Sequence, residues 1–592
     1  MRNSLRVNTA AALCLTALLW MSASDSAVAD AAMQGDLEAV RTLLRQGADV
    51  NTAQGDGMTA LHWASEGGLV EMAEMLIYAG ADLEAVTRIG NLTPLQMASR
   101  AGMASSVVTL LKAGANPHAV TTLGGATALH FAAASGSAVA VSLLLDSGAD
   151  VNALDSARGQ SPLMYAAAFN RVAAIHALVD GGADHGLTSR VESMPERQQA
   201  DRGAGQRRNR VLEAFRAERG PDQTGGPTPS QVKTAVQAAL EGQLVPGGEL
   251  EEEEVVDLEE ARPQPLTYAE LVGGRGGLTA LLYAAREGHG ESASALLDAG
   301  ADIDRVSLGD HTSPILIAMI NGHFDLAMAL FERGADPSLA SDAGSTPLYA
   351  ALNAQWAPKA RYPQQQAYQQ QQLTYLDVIE ALLEGGVDPN TRLTKHLWYM
   401  SYTFDLLGVD TKGATPFWRA AYALDVEAMK LLVAHGADPR MATQTVPQRR
   451  RRGADRPDLS GLSPVPVGGP AAYPVHAATG VGYGEGFAGN SHRHVPNGWM
   501  PALRYLVEVH GADVNARDHN GYSPVHHAAA RGDVDMIRYL VEHGADVTDV
   551  SRRGQTTADM ANGPVQRVQP FPEALELLES LGSKNSDNCL SC

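Results

Sequence analysis

Apolar residues recur along this chain at helical spacing, in segments that begin and end with characteristic small or polar residues. Val70, Met72, Ala73, Leu76 and Ile77 form one such set, which would lie on one face of a helix. A Thr starts the helix before this set, because its hydroxyl can accept a hydrogen bond from a free amide. A Gly follows the set, and Gly adopts the left-handed conformation that ends many helices. The pattern predicts pairs of short helices.

The start and end motifs recur with a step of 34 residues. The start motif occurs at Thr59-Ala60-Leu61-His62, Thr93-Pro94-Leu95-Gln96, Thr127-Ala128-Leu129-His130 and Ser161-Pro162-Leu163-Met164. The end motif keeps the same phase, with its glycine at positions 80, 114, 148 and 182. Each unit is therefore predicted to contain a helix, a Gly-containing turn, a second helix and a polar hairpin, as in a repeat array.

These strings resemble those of the ankyrin-repeat family, most closely at Ser523-Pro524-Val525-His526-His527-Ala528-Ala529 and Gly544-Ala545-Asp546. Further units start at Thr279, Ser313, Thr346, Thr415, Pro474 and Ser523. The resemblance implies an all-α ankyrin-repeat solenoid with β-hairpin loops and about twelve repeats, interrupted by long insertions. It also implies structural roles for the start motifs. In particular, the imidazoles of His62, His130, His476 and His526 are expected to tie neighbouring hairpins together.

The domain organisation follows from where the repeat pattern holds and where it stops. The predicted order is a signal peptide over 1–28, an N-terminal array over 29–189, a largely disordered insertion over 190–272, a C-terminal array over 273–582 and a tail over 583–592. The insertion is poor in large apolar residues, although short docking helices could form near Val211 and Val232. Within the second array, insertions are predicted at 354–374, 391–410, 441–470 and 480–499.

Charge and the N-terminal layout limit where the protein works and what it binds. The net charge of −22 disfavours nucleic acid and anionic lipid as partners. Arg2 and Arg6 precede an apolar run and then small residues, which is the layout of a secretory signal peptide with cleavage between Ala23 and Ala29. No later segment is long enough to span a membrane. The chain thus resembles an exported ankyrin-repeat protein of bacterial type, periplasmic or secreted, and we expect a monomer.

Two insertions are rich in aromatic residues and supply the candidate partner-binding side chains. They are Trp398, Tyr399, Tyr402 and Phe404 in the first and Tyr483, Phe487 and Trp499 in the second. Clustered aromatic residues are typical of binding hot spots. The alternative is that these side chains fold back and cover the array, since large apolar groups are usually buried.

Three further groups could carry chemistry. His492 and His494 could offer two imidazoles to a metal, although the loop shows no further ligands. Cys589 and Cys592 form a C-x-x-C pair, for which a disulfide is the plain outcome in an oxidising compartment and a redox or metal role is the alternative. No motif of a catalytic nucleophile or of a phosphate-binding loop is present, so neither an enzyme nor a cofactor is expected.

The sequence therefore predicts a scaffold that binds a protein partner through its hairpin tips, inner helices and insertion loops. The alternative is a redox- or metal-linked accessory protein of an exported oxidoreductase, which would use the C-terminal cysteine pair. Because specificity in repeat proteins lies in surface residues, the sequence does not identify the partner.

Overall fold

The fold is taken from a computed structural model, which describes residues 26–219, 226–241, 263–357, 367–400, 407–447, 457–486, 492–565 and 568–592. The predicted signal peptide, 1–28, lies almost entirely outside these ranges. The chain divides into two compact units. Unit 1 comprises Met1–Arg190 and Gly277–Arg305, and unit 2 comprises Val191–Gly276 and Val306–Cys592.

Unit 1 is a stack of helix pairs in which the first helix of each pair packs on the first helix of the next. The first five pairs are α1 (Ala27–Met33) with α2 (Leu37–Arg45), α3 (Ala60–Glu66) with α4 (Val70–Tyr78), α5 (Pro94–Arg100) with α6 (Ala104–Ala113), α7 (Ala128–Ser135) with α8 (Ala138–Asp146), and α9 (Pro162–Ala168) with α10 (Val172–Asp180). Thr93 and Ser161 cap their helices through the side-chain oxygen, as predicted, and Gly114 at φ 100° ends α6.

The segment predicted to be largely disordered contains regular structure in its described part, and this belongs to unit 2. Its elements are β1 (Val191–Ser193), α11 (Met194–Arg219), α12 (Pro229–Glu241), α13 (Tyr268–Val272) and β2 (Gly274–Gly276), with β1 and β2 antiparallel. Helices α11 and α12 pack together, and Arg207 donates to the carbonyl of Ala239. Gly203, Ala235 and Ala239 are buried, so small residues rather than large apolar ones make this contact.

The remaining helix pairs continue the pattern. Unit 1 ends with α14 (Ala280–Glu287) and α15 (Gly290–Asp298). Unit 2 contains α16 (Pro314–Ile320) with α17 (Phe324–Glu332), α18 (Pro347–Trp356) with α19 (Tyr375–Glu384), α20 (Pro416–Tyr422) with α21 (Val426–Ala434), α22 (Pro474–Thr479) with α23 (Trp499–Arg504), α24 (Pro524–Ala530) with α25 (Val534–Glu542), and α26 (Thr557–Ala561) with α27 (Pro572–Ser580). A π-helical turn, Tyr505–Val509, extends α23, and 3₁₀ turns lie at Ala367–Gln370 and Trp398–Met400.

The core repeats with the sequence. The same leucine of each first helix is at most 1% exposed, at Leu61, Leu95, Leu129 and Leu163. The same leucine of each second helix is fully buried, at Leu76, Leu110, Leu144 and Leu178. Burial of one such side chain contributes roughly 1.5–3 kcal/mol. The predicted all-α repeat class is confirmed, with the apolar stripe of every helix pair covered by its neighbours.

None of the described helices combines the length and the apolar composition needed to cross a membrane.

Candidate binding surfaces

The start motifs hold the hairpins in place through one side chain. The amide of Thr59 donates to Nδ1 of His62 at 3.1 Å, so this nitrogen carries no proton, and Nε2 donates to the carbonyl of Leu92 at 2.9 Å. Thr127, His130 and the carbonyl of Gln160 repeat the arrangement at 3.1 and 3.0 Å. Burial lowers the pKa of both imidazoles, which fits this neutral form.

Gln96 makes both contacts in place of a histidine, and His526, at the position that matches His62, makes the contact with its cap amide. In the unit that starts at Thr93-Pro94, the amide of Thr93 donates to Oε1 of Gln96, and Nε2 of Gln96 donates to the carbonyl of Ala119 at 2.8 Å. In the unit that starts at Ser523-Pro524, the amide of Ser523 donates to Nδ1 of His526 at 3.2 Å. Pro94 and Pro524 occupy the first helical position, where a missing N–H removes no helical hydrogen bond.

The first aromatic group lies partly folded against unit 2. Trp398 and Tyr399 are half-buried, and their rings meet edge to face with centroids 5.7 Å apart. Burial raises the pKa of the Tyr399 hydroxyl, which has no contact with solvent. Tyr402 and Phe404 lie outside the described residues. The two described side chains of this group are therefore only partly accessible.

The second aromatic group forms a cluster around an arginine. The guanidinium of Arg531 lies over Trp499, 3.2 Å from the ring centroid, and Tyr483 meets Trp499 edge to face at 5.8 Å. His492 and His494 complete the cluster, 5.8 and 5.0 Å from Trp499. Phe487 lies outside the described residues. These rings therefore contact one another and Arg531 within the protein, in a desolvated cation–π arrangement, and are less available to a partner.

The insertion that carries this cluster is attached to neighbouring repeats of unit 2. Nε2 of His492 donates to the carbonyl of Tyr422 at 2.6 Å, and the amide of Val495 donates to the carbonyl of Ala423 at 2.9 Å. Gly482, at φ 95°, lies so close to the chain that an added Cβ would stand 2.7 Å from the carbonyl oxygen of Leu407. The glycines of this loop therefore permit close packing.

One ring nitrogen of His492 has no hydrogen-bond partner and is therefore the candidate metal ligand of the histidine pair. Its Nε2 is occupied by the Tyr422 carbonyl, while Nδ1 is buried without a hydrogen-bond partner. Burial lowers the pKa of His492 to about 3, so the imidazole is neutral. In the part of the chain that the structure describes, however, no group of three or more His, Cys, Asp or Glu side chains could hold a metal ion.

The C-terminal tail closes unit 2. Cys589 and Cys592 form a disulfide with their Cα atoms 5.8 Å apart. The amide and hydroxyl of Ser586 donate to the buried carboxylate of Asp559 at 2.8 and 2.7 Å, and the amide of Leu590 donates to the carbonyl of Gly563. The tail therefore occupies the position where a following hairpin would stand. A redox role for the cysteine pair remains a prediction.

A buried hydrogen-bonded pair, Asp518 and His527, was not singled out from the sequence. Both side chains are fully buried, with Oδ2 and Nε2 3.2 Å apart. Asp518 also accepts from the amides of Asn520 and Tyr522 at 2.9 Å. Asp155 of unit 1 makes the matching contacts, with the hydroxyl of Tyr165 in place of the imidazole. The pair thus braces a hairpin turn and is inaccessible to a substrate.

The hairpin tips of unit 1 expose a row of aliphatic side chains. The two positions concerned recur with the 34-residue step, at Val86, Val120 and Leu154 and at Ile89 and Leu123. Their exposed fractions are 47%, 58%, 50%, 78% and 80%, respectively. We call these five residues the aliphatic ladder. Successive hairpins are joined edge to edge, for example by the amide of Ser156 donating to the carbonyl of Gly124 at 2.8 Å.

Two hairpins of unit 2 are contacted by other parts of that unit, although Leu308 remains 48% exposed in one of them. Arg552 of one hairpin donates to the carbonyls of Leu462 and Ser463 in the 457–470 segment and pairs with Asp458. Strand β2 packs against Gly309 of another hairpin. A repeated exposed aliphatic row is therefore a feature of unit 1. Sequence reasoning looked for aromatic residues in insertions and missed it, although the shared phase of Val86, Val120 and Leu154 was visible.

Inner-helix side chains adjoin the ladder in unit 1. One position of the first helix is occupied by Trp63, Phe131 and Tyr165, each half-buried and in phase with the repeat. Nε1 of Trp63 donates to Gln54 of the hairpin at 2.9 Å. Fold and surface together define a repeat protein whose accessible features are suited to binding another macromolecule.

Comparison with known families assigns the chain. A family model described as ankyrin repeats (3 copies) matches residues 95–189 and 281–393, and a second, described as ankyrin repeats (many copies), matches residues 28–77 and 491–541. The chain belongs to the ankyrin-repeat proteins, as its motifs predicted. Ankyrin repeats are protein-interaction modules, so the general class of the chain is an interaction scaffold.

Individual relatives match over short stretches. Alpha-latrocrustotoxin-Lt1a of Latrodectus tredecimguttatus is 24% identical over 186 residues, 31% of this chain and 9% of the toxin. Protein phosphatase 1 regulatory subunit 12A of Mus musculus is 35% identical over 71 residues, 12% of this chain and 7% of the subunit. Protein phosphatase 1 regulatory subunit 27 of Mus musculus is 37% identical over 69 residues, 12% of this chain and 44% of the subunit. The chain thus spans less than half the length of each of these relatives.

Proposed function

We propose that this protein is a non-enzymatic scaffold of the cell envelope or exterior, which binds a protein partner through the hairpin tips and inner helices of unit 1. The observation that carries the proposal is the aliphatic ladder. Five aliphatic side chains in consecutive repeats are about half exposed or more. Single exposed apolar residues are common on protein surfaces, but a row of them indicates a binding surface.

The contrast with the aromatic insertions supports the choice of surface. Trp499 and Tyr483 are engaged with Arg531, and Tyr399 has a buried hydroxyl. Leu123 and Ile89 have no such engagement and are the more exposed. Burial of one aliphatic side chain in an interface contributes about 1.5–3 kcal/mol, so five in a row can supply the centre of a stable contact.

The test is affinity capture of the mature protein's partner from its own envelope fraction, with matched variants. Leu123→Ser and Ile89→Ser together should abolish capture, because both side chains lie on the ladder. Val139→Ser, which changes a side chain 63% exposed on the helical part of the same unit, should leave capture unchanged. Capture that survives the ladder substitutions, with the fold intact by circular dichroism, would refute the proposed surface.

The export half of the proposal rests on the N-terminal layout and on the compartment that suits a disulfide. Helix α1 begins at Ala27 and buries Val28 and Ala29, so cleavage near Ala23 would leave the first repeat whole. Residues 1–28 fused to alkaline phosphatase should give activity outside the cytoplasm, and Leu13→Arg in the apolar run should remove it. Activity that is unaffected by Leu13→Arg would count against export by this segment.

A further inference from the structure

The exposed charged side chains at the tips of the three ladder hairpins are arginines, while Asp56 of the preceding hairpin and Glu84, two residues before Val86, are exposed nearby. The tip residues 86–90, 120–124 and 154–158 contain Arg88, Asp155 and Arg158 as their charged members. Asp155 is 3% exposed and accepts hydrogen bonds from the amides of Arg158 and Gly159. Both exposed charges at the tips are therefore cationic, in a chain whose net charge is −22.

The side chain of Arg88 is held where it can meet a ligand. Nη1 of Arg88 donates to the carbonyl of Gly55 at 2.6 Å, which fixes the guanidinium beside the tips and leaves its other N–H groups available. Arg88 lies between Val86 and Ile89, and Arg158 follows Leu154 by four residues. A carboxylate close to an aliphatic side chain would complement each of these places.

The spacing of the ladder matches an extended chain. Stacked helices lie roughly 8–10 Å apart, and each hairpin follows its own helix pair. A polyproline II segment has three residues per turn and advances roughly 3.1 Å per residue, so every third side chain lies on the same face roughly 9 Å further on. One side chain in three can therefore reach the same position on successive hairpins. A helix advances only about 1.5 Å per residue, so residues three apart in a helix do not match the spacing of the hairpins.

We propose that the aliphatic ladder binds an extended acidic segment of a partner protein, with an aliphatic side chain at every third position and carboxylates between them. The aliphatic side chains contact Val86, Val120 and Leu154 with their neighbours, and the carboxylates pair with Arg88 and Arg158. This deepens the proposed function and rests on it. The attraction between the two arginines and the carboxylates of the segment offsets the repulsion that the acidic protein as a whole exerts on it.

The test uses the full chain and a fluorescein-labelled peptide of four Leu-Glu-Pro units, because its prolines favour the polyproline II form with all leucines on one face. Fluorescence anisotropy should show saturable binding. Leu123→Ser should weaken it at least about tenfold, the equivalent of one buried leucine. Arg158→Glu should weaken it by a similar factor and reduce its salt dependence, while Val139→Ser leaves it unchanged.

Control peptides separate charge from spacing. Replacement of Glu by Lys should abolish binding, and insertion of one Gly in each unit should weaken it because the leucines then lose the hairpin spacing. Equal binding of the Lys peptide or of the Gly-spaced peptide would overturn the inference. Failure of the Leu-Glu-Pro peptide to bind at millimolar concentration would overturn it as well.

The remaining outcomes assign the ladder to a different occupant. Binding to phosphatidylcholine–phosphatidylserine vesicles that Leu123→Ser removes would indicate a membrane surface, and dimerisation in sedimentation that Leu123→Ser removes would indicate a second copy of the chain. Either result would overturn the inference. If the peptides fail but Leu123→Ser with Ile89→Ser still abolishes partner capture, the proposed function stands and only the partner chemistry is wrong.

Discussion

In several repeats, the side chain three positions after the cap of the first helix joins one hairpin to the next. It accepts a hydrogen bond from the cap amide and donates one to a carbonyl of the following hairpin. Imidazole does both in His62 and His130, and a primary amide does both in Gln96. Met164 offers only a sulfur atom, which accepts weakly from the amide of Ser161 at 3.5 Å.

A substitution at His130 tests this account. His130→Ala should lower the free energy of unfolding by about 2–4 kcal/mol, because it removes both hydrogen bonds and leaves a cavity. His130→Gln should lose less than half as much, since Gln96 shows that an amide can make both bonds. Equilibrium unfolding in urea measures the difference. Equal losses for the two variants would show that the loss comes from packing alone.

Residues that act within their own unit could be predicted, and those that depend on distant segments could not. A Thr cap and its histidine are three residues apart, so the motif contains the whole arrangement. The availability of Leu123 depends instead on the absence of a covering segment, whereas Arg552 in unit 2 is covered by residues about ninety positions earlier. That difference arises from tertiary packing, and no local pattern records it.

The loop between α22 and α23 shows how glycine shapes an element. The string Gly480-Val481-Gly482-Tyr483-Gly484 looks like a phosphate-binding loop only superficially, and its glycines instead let the backbone pack on neighbouring repeats. At Gly482 an added Cβ would meet both the carbonyl oxygen of Leu407 and the side chain of Val409 at 2.7 Å. Backbone atoms cannot move aside as readily as a flexible side chain can.

Gly482→Ala should therefore lift the loop from unit 2. Its matched control is Gly544→Ala, where φ is 89° but an added Cβ meets nothing within 4 Å. Both variants incur the left-handed strain of about 1–2 kcal/mol, but only Gly482→Ala adds the clash. Limited proteolysis should cut residues 480–499 faster in Gly482→Ala than in Gly544→Ala. Similar cutting rates would show that the close approach is not important.

The insertion over 190–272 contains helices that the pattern of large apolar residues did not predict. The prediction looked for large apolar residues, and few are present. Helices α11 and α12 instead pack together with the small side chains of Ala235 and Ala239 buried. Small residues give almost no hydrophobic periodicity, so helices that pair through them resemble a disordered segment in the sequence.

At the scale of the whole molecule, buried histidines couple stability to pH. Burial lowers the pKa of His62 and His130, and it lowers the pKa of His476 to about 4 and of His526 to about 3. The unfolded chain binds protons at these sites below its ordinary pKa of about 6.5, whereas the folded protein does not. Stability from these groups is therefore complete above that pH and is lost as the pH falls toward their folded values.

The unfolding temperature should therefore decrease as the pH is lowered from about 6.5 to about 4. Glu485 and Asp549 act in the opposite direction, because burial raises their pKa and their contribution declines as the pH rises through the folded values. His476→Gln should reduce the slope, while substitution of the exposed His118 by Gln should not. Circular dichroism melting curves at pH 7.5 and 5.0 measure the effect. An unchanged slope in His476→Gln would contradict it.

The repeat that contains Asp559 differs from the others through the chemistry of one carboxylate. Asp559 occupies the position of His62 and Gln96 but can only accept, and the tail meets it with the amide and hydroxyl of Ser586. A further ankyrin unit fused here would bring a carbonyl oxygen against this carboxylate, and two acceptors repel. Extension of the array at this end therefore requires both removal of the tail and exchange of Asp559 for a donor such as His or Gln.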